Sequence, residues 1–278
     1  MRKGVSRNRL INATIFLVML IAAISFLFPI YYMGVNGFKT RAEYRADPFG
    51  LPAQWNLNNF ELLIGNFKIL DSFKNTFIIA SSSVLITLII SIFASYAFAK
   101  MRFKGRSFVY LFLISTMFIP AQVTMIPLYY LMSDLHLTNQ LTSVILTYVA
   151  TTLPGTILLM TTSFMGISDE MIEASVIDGA GYFSIVRHVI VPMGTAVIAI
   201  NVIFNFLSAS NDLFTPMILL QKFEKRTLMV ALSAIMAPRN ADPAYQQAGL
   251  LLSSLPSLMI YIVFSRFIVK GITVGSIK

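Results

Sequence analysis

Four carboxylates stand close together in one segment of the chain: Asp169, Glu170, Glu173 and Asp178. Among and just after them come Ala174, Ser175, Gly179, Ala180 and Gly181. Carboxylates can hold charge-assisted hydrogen bonds across a contact. Small side chains let a second surface come close to the backbone. The residue types for covalent or metal chemistry are missing. There is no Cys, no HExxH pattern, and only two histidines, His136 and His188, which fall on opposite sides of a membrane in the reading below. A GxxxxGK[ST] phosphate loop is absent, so the chain does not bind nucleotide by that route. No catalytic residue, cofactor or metal is expected. A second polar set, Gln122, Asn205, Asn211 and Asp212, interrupts apolar stretches. Polar groups at membrane depth are functional candidates by default, although Asp212 also fits the outer interface. An ion-coupled carrier wants a buried acid relay, for which Asp212 is the sole candidate.

The elements that must position these residues are apolar. The 278 residues are 56% hydrophobic and 12% charged, where a soluble domain carries about 25% charged residues. The apolar surplus comes in blocks, which identifies an all-α integral membrane protein. About six blocks are long enough to cross roughly 30 Å of hydrocarbon: 10–33, 76–99, 108–132, 141–164, 192–213 and 250–269. The leading MRKGVSRNRL resembles the basic start of a secretory leader. The apolar run behind it is longer than a leader's core and lacks a clean cleavage site, so an uncleaved first span is expected. The formal charge of +9 does not indicate nucleic acid, because the cations cluster beside spans. Arg2, Lys3, Arg7 and Arg9 precede the first span, Lys100, Arg102, Lys104 and Arg106 follow the second, and Arg266, Lys270 and Lys278 close the chain. With six spans these lie on one side, the cytoplasmic one, together with the acidic segment.

Within that segment Ser168 fits an N-cap, with Asp169 and Glu170 in a first turn that favours negative charge. The helix runs to Asp178, and Gly179 can end it at positive φ. A second short helix then carries Phe183, Val186, Val189 and Ile190 on one apolar stripe, and Pro192 marks the turn back into the membrane. Pro120, Pro127 and Pro154 are expected to kink the third and fourth spans, which points to a cavity, a moving part or simple packing curvature. In the outer loop, Trp55 reads as an interface anchor or a contact for an external partner.

The stretch EASVIDGAGYFSIVRHVIVP, residues 173–192, is similar to the EAA loop in the membrane subunits of binding-protein-dependent ABC importers. Glu173, Ala174, Asp178, Gly179, Ala180, Ile190 or Val191, and Pro192 match that pattern, and Ser175 stands where a third Ala is usual. NTFIIASSSVLITLIISIFASYAFAKMRFKGR resembles the second span and basic loop of carbohydrate permeases. FIPAQVTMIPLYYL resembles their third span. NFLSASNDLFTPMILL resembles their fifth, with Ser210-Asn211 where many relatives carry Trp-Asn. The ending FSRFIVKGITVGSIK is similar to the tail of the smaller maltose-type permease subunit.

This resemblance, from about Phe73 onward, implies a type I ABC importer permease fold with a cytoplasmic coupling helix. It divides the chain into 1–72 (tail, first span, outer loop) and 73–278, a core of about five spans with the EAA loop at 166–192. It implies that Glu173, Ala174, Ser175, Asp178, Gly179 and Ala180 dock an ATPase. Gln122, Thr124, Asn205 and Asn211 become candidates for a sugar path, since neutral hydrogen-bonding groups suit hydroxyls. The implied partners are a homologous permease, two ATPase copies and an external or periplasmic sugar-binding protein, with membrane lipid around and no nucleic acid. The implied location is the bacterial inner membrane with both termini cytoplasmic. A permease for a non-sugar solute is the nearest alternative, and an ion-coupled secondary carrier the next.

Overall fold

The computed structural model describes residues 2–237 and 242–275, with side chains over 11–237 and 242–265. Lys278 and the side chains of Arg2, Lys3, Arg7, Arg9, Arg266 and Lys270 lie outside the described residues. The helices are α1 (Arg2–Gly37), α2 (Arg41–Ala46), α3 (Asn58–Phe67), α4 (Ile69–Lys100), α5 (Arg106–Ser115), α6 (Ala121–Asp134) and α7 (Leu141–Met165). They continue with α8 (Asp169–Ile177), α9 (Tyr182–Ile185), α10 (Val191–Met193), α11 (Thr195–Asn211), α12 (Phe214–Leu219), α13 (Leu228–Met236) and α14 (Pro243–Gly275). Two compact units result: Met1–Lys68 with Leu232–Ser254, and Ile69–Ala231 with Leu255–Lys278. A later segment, Leu232–Ser254, groups with the N-terminal part.

In the second unit α4 and α7 pack along much of their length. The reason is written in α4, where Ser83, Thr87, Ser91 and Ser95 recur every fourth residue and are all buried. Residues four apart share a helix face, and small ones let two backbones approach closely in a membrane. The Thr87 hydroxyl lies 3.2 Å from that of Thr152 on α7, and Ser95 donates to the Ile157 carbonyl at 3.2 Å. Apolar clusters close both ends of this seam. Ile79, Val84, Val144, Tyr148 and Phe206 form one, and Tyr96, Met160, Phe164, Ile185 and Ile190 the other.

Among the described residues four helices are long and apolar enough to cross a membrane: Ile11–Gly37, Ile69–Lys100, Leu141–Met165 and Pro243–Ser265. The third and fifth expected spans are bent pairs instead. Arg106–Phe118 and Ala121–Asp134 meet at 100°, and Tyr182–Met193 and Thr195–Asn211 meet at 80°. Pro120 makes the first break, with extended backbone at ψ 132° just before α6. Pro127 and Pro154 lie inside helices that continue past them. The expected corner at Pro192 is displaced to Gly194. A Cβ there would lie 2.5 Å from the Phe164 ring and 2.9 Å from the Ile190 carbonyl oxygen, so only glycine fits this corner.

In the first unit, the 18-residue apolar heart of α1 has none of its residues buried. A helix apolar on every face needs lipid or another protein around it. The loop after it is closed by polar groups. Lys39 is 1% exposed, and its ammonium donates to the Asp47 carbonyl at 2.7 Å. The Asn59 amide donates to the carbonyls of Gly37 and Lys39, and that of Asn36 to those of Tyr32 and Pro48. Trp55 is 63% exposed and meets Phe38 edge-on at 5.2 Å.

A capping box opens α2. The Thr40 backbone N–H donates to Glu43 at 2.8 Å, and the Glu43 N–H donates to the Thr40 hydroxyl. Hydrogen bonds from Thr40 hold the Glu43 carboxyl below its ordinary pKa, with help from the backbone of Ala53 and Gln54. The N–H groups of Gly50 and Phe49 do the same for Asp47. Groups whose folded pKa is depressed stabilise the fold above their unfolded pKa, and that stability is lost as pH falls through the folded value. Emission from Trp55, beside the Ala53–Gln54 backbone, is therefore expected to change on acidification below about pH 4. Glu43→Gln should diminish that change, and an unaltered acid transition in the variant would contradict this account.

Candidate functional site

Two places in the second unit gather the polar residues singled out by sequence. The first is a pair of cavities along α7. Gln122 and Thr124, from the first turn of α6 just after the Pro120 break, join Asn211 at the end of α11 around a cavity of about 480 Å³. Asn205 is not with them. It lines a second cavity of about 340 Å³, with Asn201, Thr156 and Met117, and its amide donates to the Thr156 hydroxyl at 2.9 Å. Thr151 and Thr152 border both cavities.

The larger cavity holds one carboxylate and no cation among its walls. That carboxylate is Asp212. It accepts from the Tyr148 hydroxyl at 2.9 Å and from the Phe214 backbone N–H at 3.0 Å. The remaining polar walls are hydroxyls and amides, a lining that can exchange hydrogen bonds with a neutral polyhydroxylated solute. Tyr148, Thr147, Thr151 and Thr152 were not singled out by sequence. Their signal was present, since Thr147 and Thr151, and likewise Tyr148 and Thr152, stand four residues apart on α7.

The second place is the helix pair after α7. Asp169 and Glu170 occupy the first turn of α8. Ser168 stands at the N-cap, but its hydroxyl bonds the Glu170 carboxylate and makes no bond to the helix backbone. That bond, and then the residue's own backbone N–H, holds the Glu170 carboxyl below its ordinary pKa. The helix ends as its glycine requires. Gly179 sits at φ +82°. The Ala180 N–H reaches the Ser175 carbonyl at 2.9 Å and the Gly179 N–H that of Val176 at 3.0 Å, the paired bonds of a Schellman closure. A Cβ on Gly179 would meet nothing within 4 Å, so φ alone demands glycine.

No residue of α8 is buried. Glu173, Ala174, Asp178 and Gly179 are exposed, while Ser175 and Ala180 are half-buried. The Ser175 hydroxyl is taken up by the Met171 carbonyl. Three apolar side chains also face outward, Met171, Val176 and Ile177, the last 85% exposed. Sequence reasoning passed over them, though Val176 and Ile177 sit inside the quoted motif. An exposed apolar patch rimmed by charge marks an interaction surface.

The second helix differs from expectation in length and register. It runs from Tyr182 through a π-helical turn, Val186–Ile190, to Met193. The wider turn rotates the buried face, so Ile185, Val186 and Ile190 point inward and Phe183 is 73% exposed.

Two side chains tie this pair to the ends of α4 and α7. The Lys100 ammonium, at the end of α4, donates to the Ile167 carbonyl at 2.5 Å and to Asp169 at 2.7 Å, and reaches the Met165 carbonyl at 3.3 Å. The Tyr182 hydroxyl donates to the Phe93 carbonyl on α4 at 2.8 Å, with its ring stacked on that of Phe93. Lys100→Met should therefore loosen α8. The expected loss is about 1.5–3 kcal/mol, typical for bonds to a charged group. Hydrogen exchange of amides 169–180 should speed by about tenfold or more, and unchanged protection would rule out Lys100 as the tie.

The family model described as "binding-protein-dependent transport system inner membrane component" matches residues 86–273. The diacetylchitobiose uptake system permease protein NgcG of Streptomyces coelicolor is 26% identical over 279 residues, covering 100% of this chain and 92% of that protein. The arabinooligosaccharides transport system permease protein AraQ of Bacillus subtilis is 26% identical over 272 residues, covering 96% and 95%. A chain in the crystal structure of a bacterial ABC transporter that imports the acidic polysaccharide alginate superposes with a TM-score of 0.73 at 23% identity, covering 97% of each. The fold is thus that of an ABC importer permease, and the chain belongs to the inner membrane components of binding-protein-dependent transport systems.

Proposed function

We propose that the chain is one of two related permeases in an ATP-driven importer. With its partner it forms the pathway for a sugar or oligosaccharide that an external binding protein delivers. ATP hydrolysis takes place on separate ATPase subunits, since this chain carries no phosphate loop. The names of the two similar permeases, one for diacetylchitobiose and one for arabinooligosaccharides, support a sugar cargo. The hydroxyls and amides that line the cavity around Gln122, Thr124 and Asn211, beside the single carboxylate of Asp212, support it independently. The chain sits in a bacterial inner membrane, with the basic loop and both termini on the cytoplasmic side.

The observation that carries the coupling role is α8, which has no buried residue and offers carboxylates, small residues and apolar anchors together. Glu173, Ala174, Ser175, Asp178, Gly179 and Ala180 form the ATPase-docking face, with Met171, Val176 and Ile177 as its apolar contacts. Closure of an ATPase pair displaces α8. Lys100 and Tyr182 pass that displacement to α4, and the hydroxyl seam passes it to α7. Because α7 walls both cavities, its movement as a rigid body changes access to them.

Co-purification tests the docking. The chain is expressed with its partner permease and ATPase, as wild type and with Glu173→Lys and Gly179→Pro together. Loss of the ATPase from an intact permease pair is expected. Retention of the ATPase, with hydrolysis still stimulated by the binding protein, would sink the assignment. The pathway is tested separately. Asn211→Leu and Gln122→Leu should each lower sugar uptake by up to about tenfold, the worth of one hydrogen bond, without detaching the ATPase. Full uptake in both variants would remove these residues from the path.

A further inference from the structure

One cavity of the second unit has no part in the pathway or in α8. It has a volume of about 470 Å³ and lies where α4 ends, α5 begins and α7 ends. Arg106, Ser107, Tyr110 and Thr161 give it polar walls, and Phe98, Leu111 and Met165 give it apolar ones.

The polar walls suit a phosphate. The residue before α5, Gly105, has φ +82° and supplies no side-chain cap. The Arg106 N–H turns back to the Phe103 carbonyl at 3.3 Å, which leaves the N–H groups of Ser107 and Phe108 without a side-chain cap, at the positive end of the helix dipole. The Arg106 guanidinium spends one donor on the Met101 carbonyl at 3.3 Å and has others to offer. Arg102 and Lys104 add positive charge in the same loop. Thr161 is the independent sign of a ligand. It is 0% exposed, lines the cavity, and its hydroxyl has no hydrogen-bond partner among the described residues. Its usual acceptor, the carbonyl of Ile157 one turn back, already receives Ser95.

The apolar walls identify the bearer of the phosphate. Phe98, Leu111 and Met165 continue into a strip of α5 where Phe108 is 75% exposed and Phe112 65%. A free anion in water has no use for such a strip, whereas acyl chains do. The cytoplasmic leaflet, where a basic loop resides, is also the leaflet rich in anionic lipid.

We infer that this cavity is a headgroup site for an anionic phospholipid. The phosphate sits against Arg106, Ser107 and the start of α5, and the acyl chains run along Leu111 and Phe112. The inference needs only a membrane-embedded chain, so it stands or falls independently of sugar import.

Native mass spectrometry tests it on the complete importer, purified from mixed micelles of phosphatidylglycerol and phosphatidylcholine in equal amount. Preferential retention of phosphatidylglycerol is expected. Arg106→Gln should lower that preference about fivefold, the worth of one interfacial cation, and Thr161→Val should lower it further. Lys222→Gln, which removes a cation from the loop at the opposite end of α4, should leave it intact, and excess inorganic phosphate should not displace the lipid. If Arg106→Gln fails to assemble, Tyr110→Phe with Thr161→Val carries the same expectation. Equal retention of the two lipids by wild type overturns the site, as does an undiminished preference in the variants. Displacement by inorganic phosphate would also overturn it, as a site for a free anion. Binding to the isolated chain but not to the assembled importer would show that the partner permease fills the cavity instead.

Discussion

The approach of α4 to α7 is the contact on which the rest of the second unit depends. In lipid no hydrophobic force drives helices together, because the surroundings are as apolar as leucine. Close packing and hydroxyl hydrogen bonds must supply the attraction. Ser83, Thr87, Ser91 and Ser95 allow the close packing by being small and one turn apart, and Thr87 and Ser95 add the hydrogen bonds to α7. Their pairing with α7 leaves the other side of α7, with Thr147 and Thr151, free to border the cavities. The same pairing brings the C-terminal ends of both helices together, where Lys100 can reach the carbonyls of Met165 and Ile167.

This arrangement makes the unit mechanically continuous. Lys100 is 9% exposed, whereas its partner Asp169 is 75% exposed. The ammonium is therefore anchored at the end of α4 and meets an acid at the water-facing start of α8. Such an ion pair contributes little as an isolated surface bond. Here it is joined by two backbone acceptors, so a push on α8 meets resistance from the ends of two long helices at once. Tyr182 supplies the second point of attachment, and two separated points transmit rotation as well as translation.

Local features of the fold were legible in the sequence. The lengths of the apolar blocks marked where α1, α4, α7 and α14 cross. The acidic first turn and Gly179 gave both ends of α8, because capping depends on a few neighbouring residues. Features that depend on distant partners were not legible. Nothing near Gly194 says that the Phe164 ring would occupy the space of its Cβ, so the corner was assigned to Pro192. Three prolines looked alike, yet only Pro120 breaks its span, since a proline states which hydrogen bond is lost and not how its neighbours compensate. Lys100 read as one cation in a loop, because its acceptors lie 65 to 69 residues away. Of the path candidates, Gln122, Thr124 and Asn211 share a cavity, whereas Asn205 borders the next one. Residue type suggested the set, and only packing could partition it.

The break at Pro120 bears on how the protein is made as well as on how it works. Arg106–Phe118 and Ala121–Asp134 are each about 20 Å long at 1.5 Å per residue, well short of the roughly 30 Å of hydrocarbon a span must cross. Neither half can therefore be read as a membrane segment by itself during synthesis. To cross, the two halves have to enter the bilayer as one event, with the polar backbone at the break sheltered by α7 or by water until the rest of the chain arrives. The sidedness of every later helix then depends on that joint insertion.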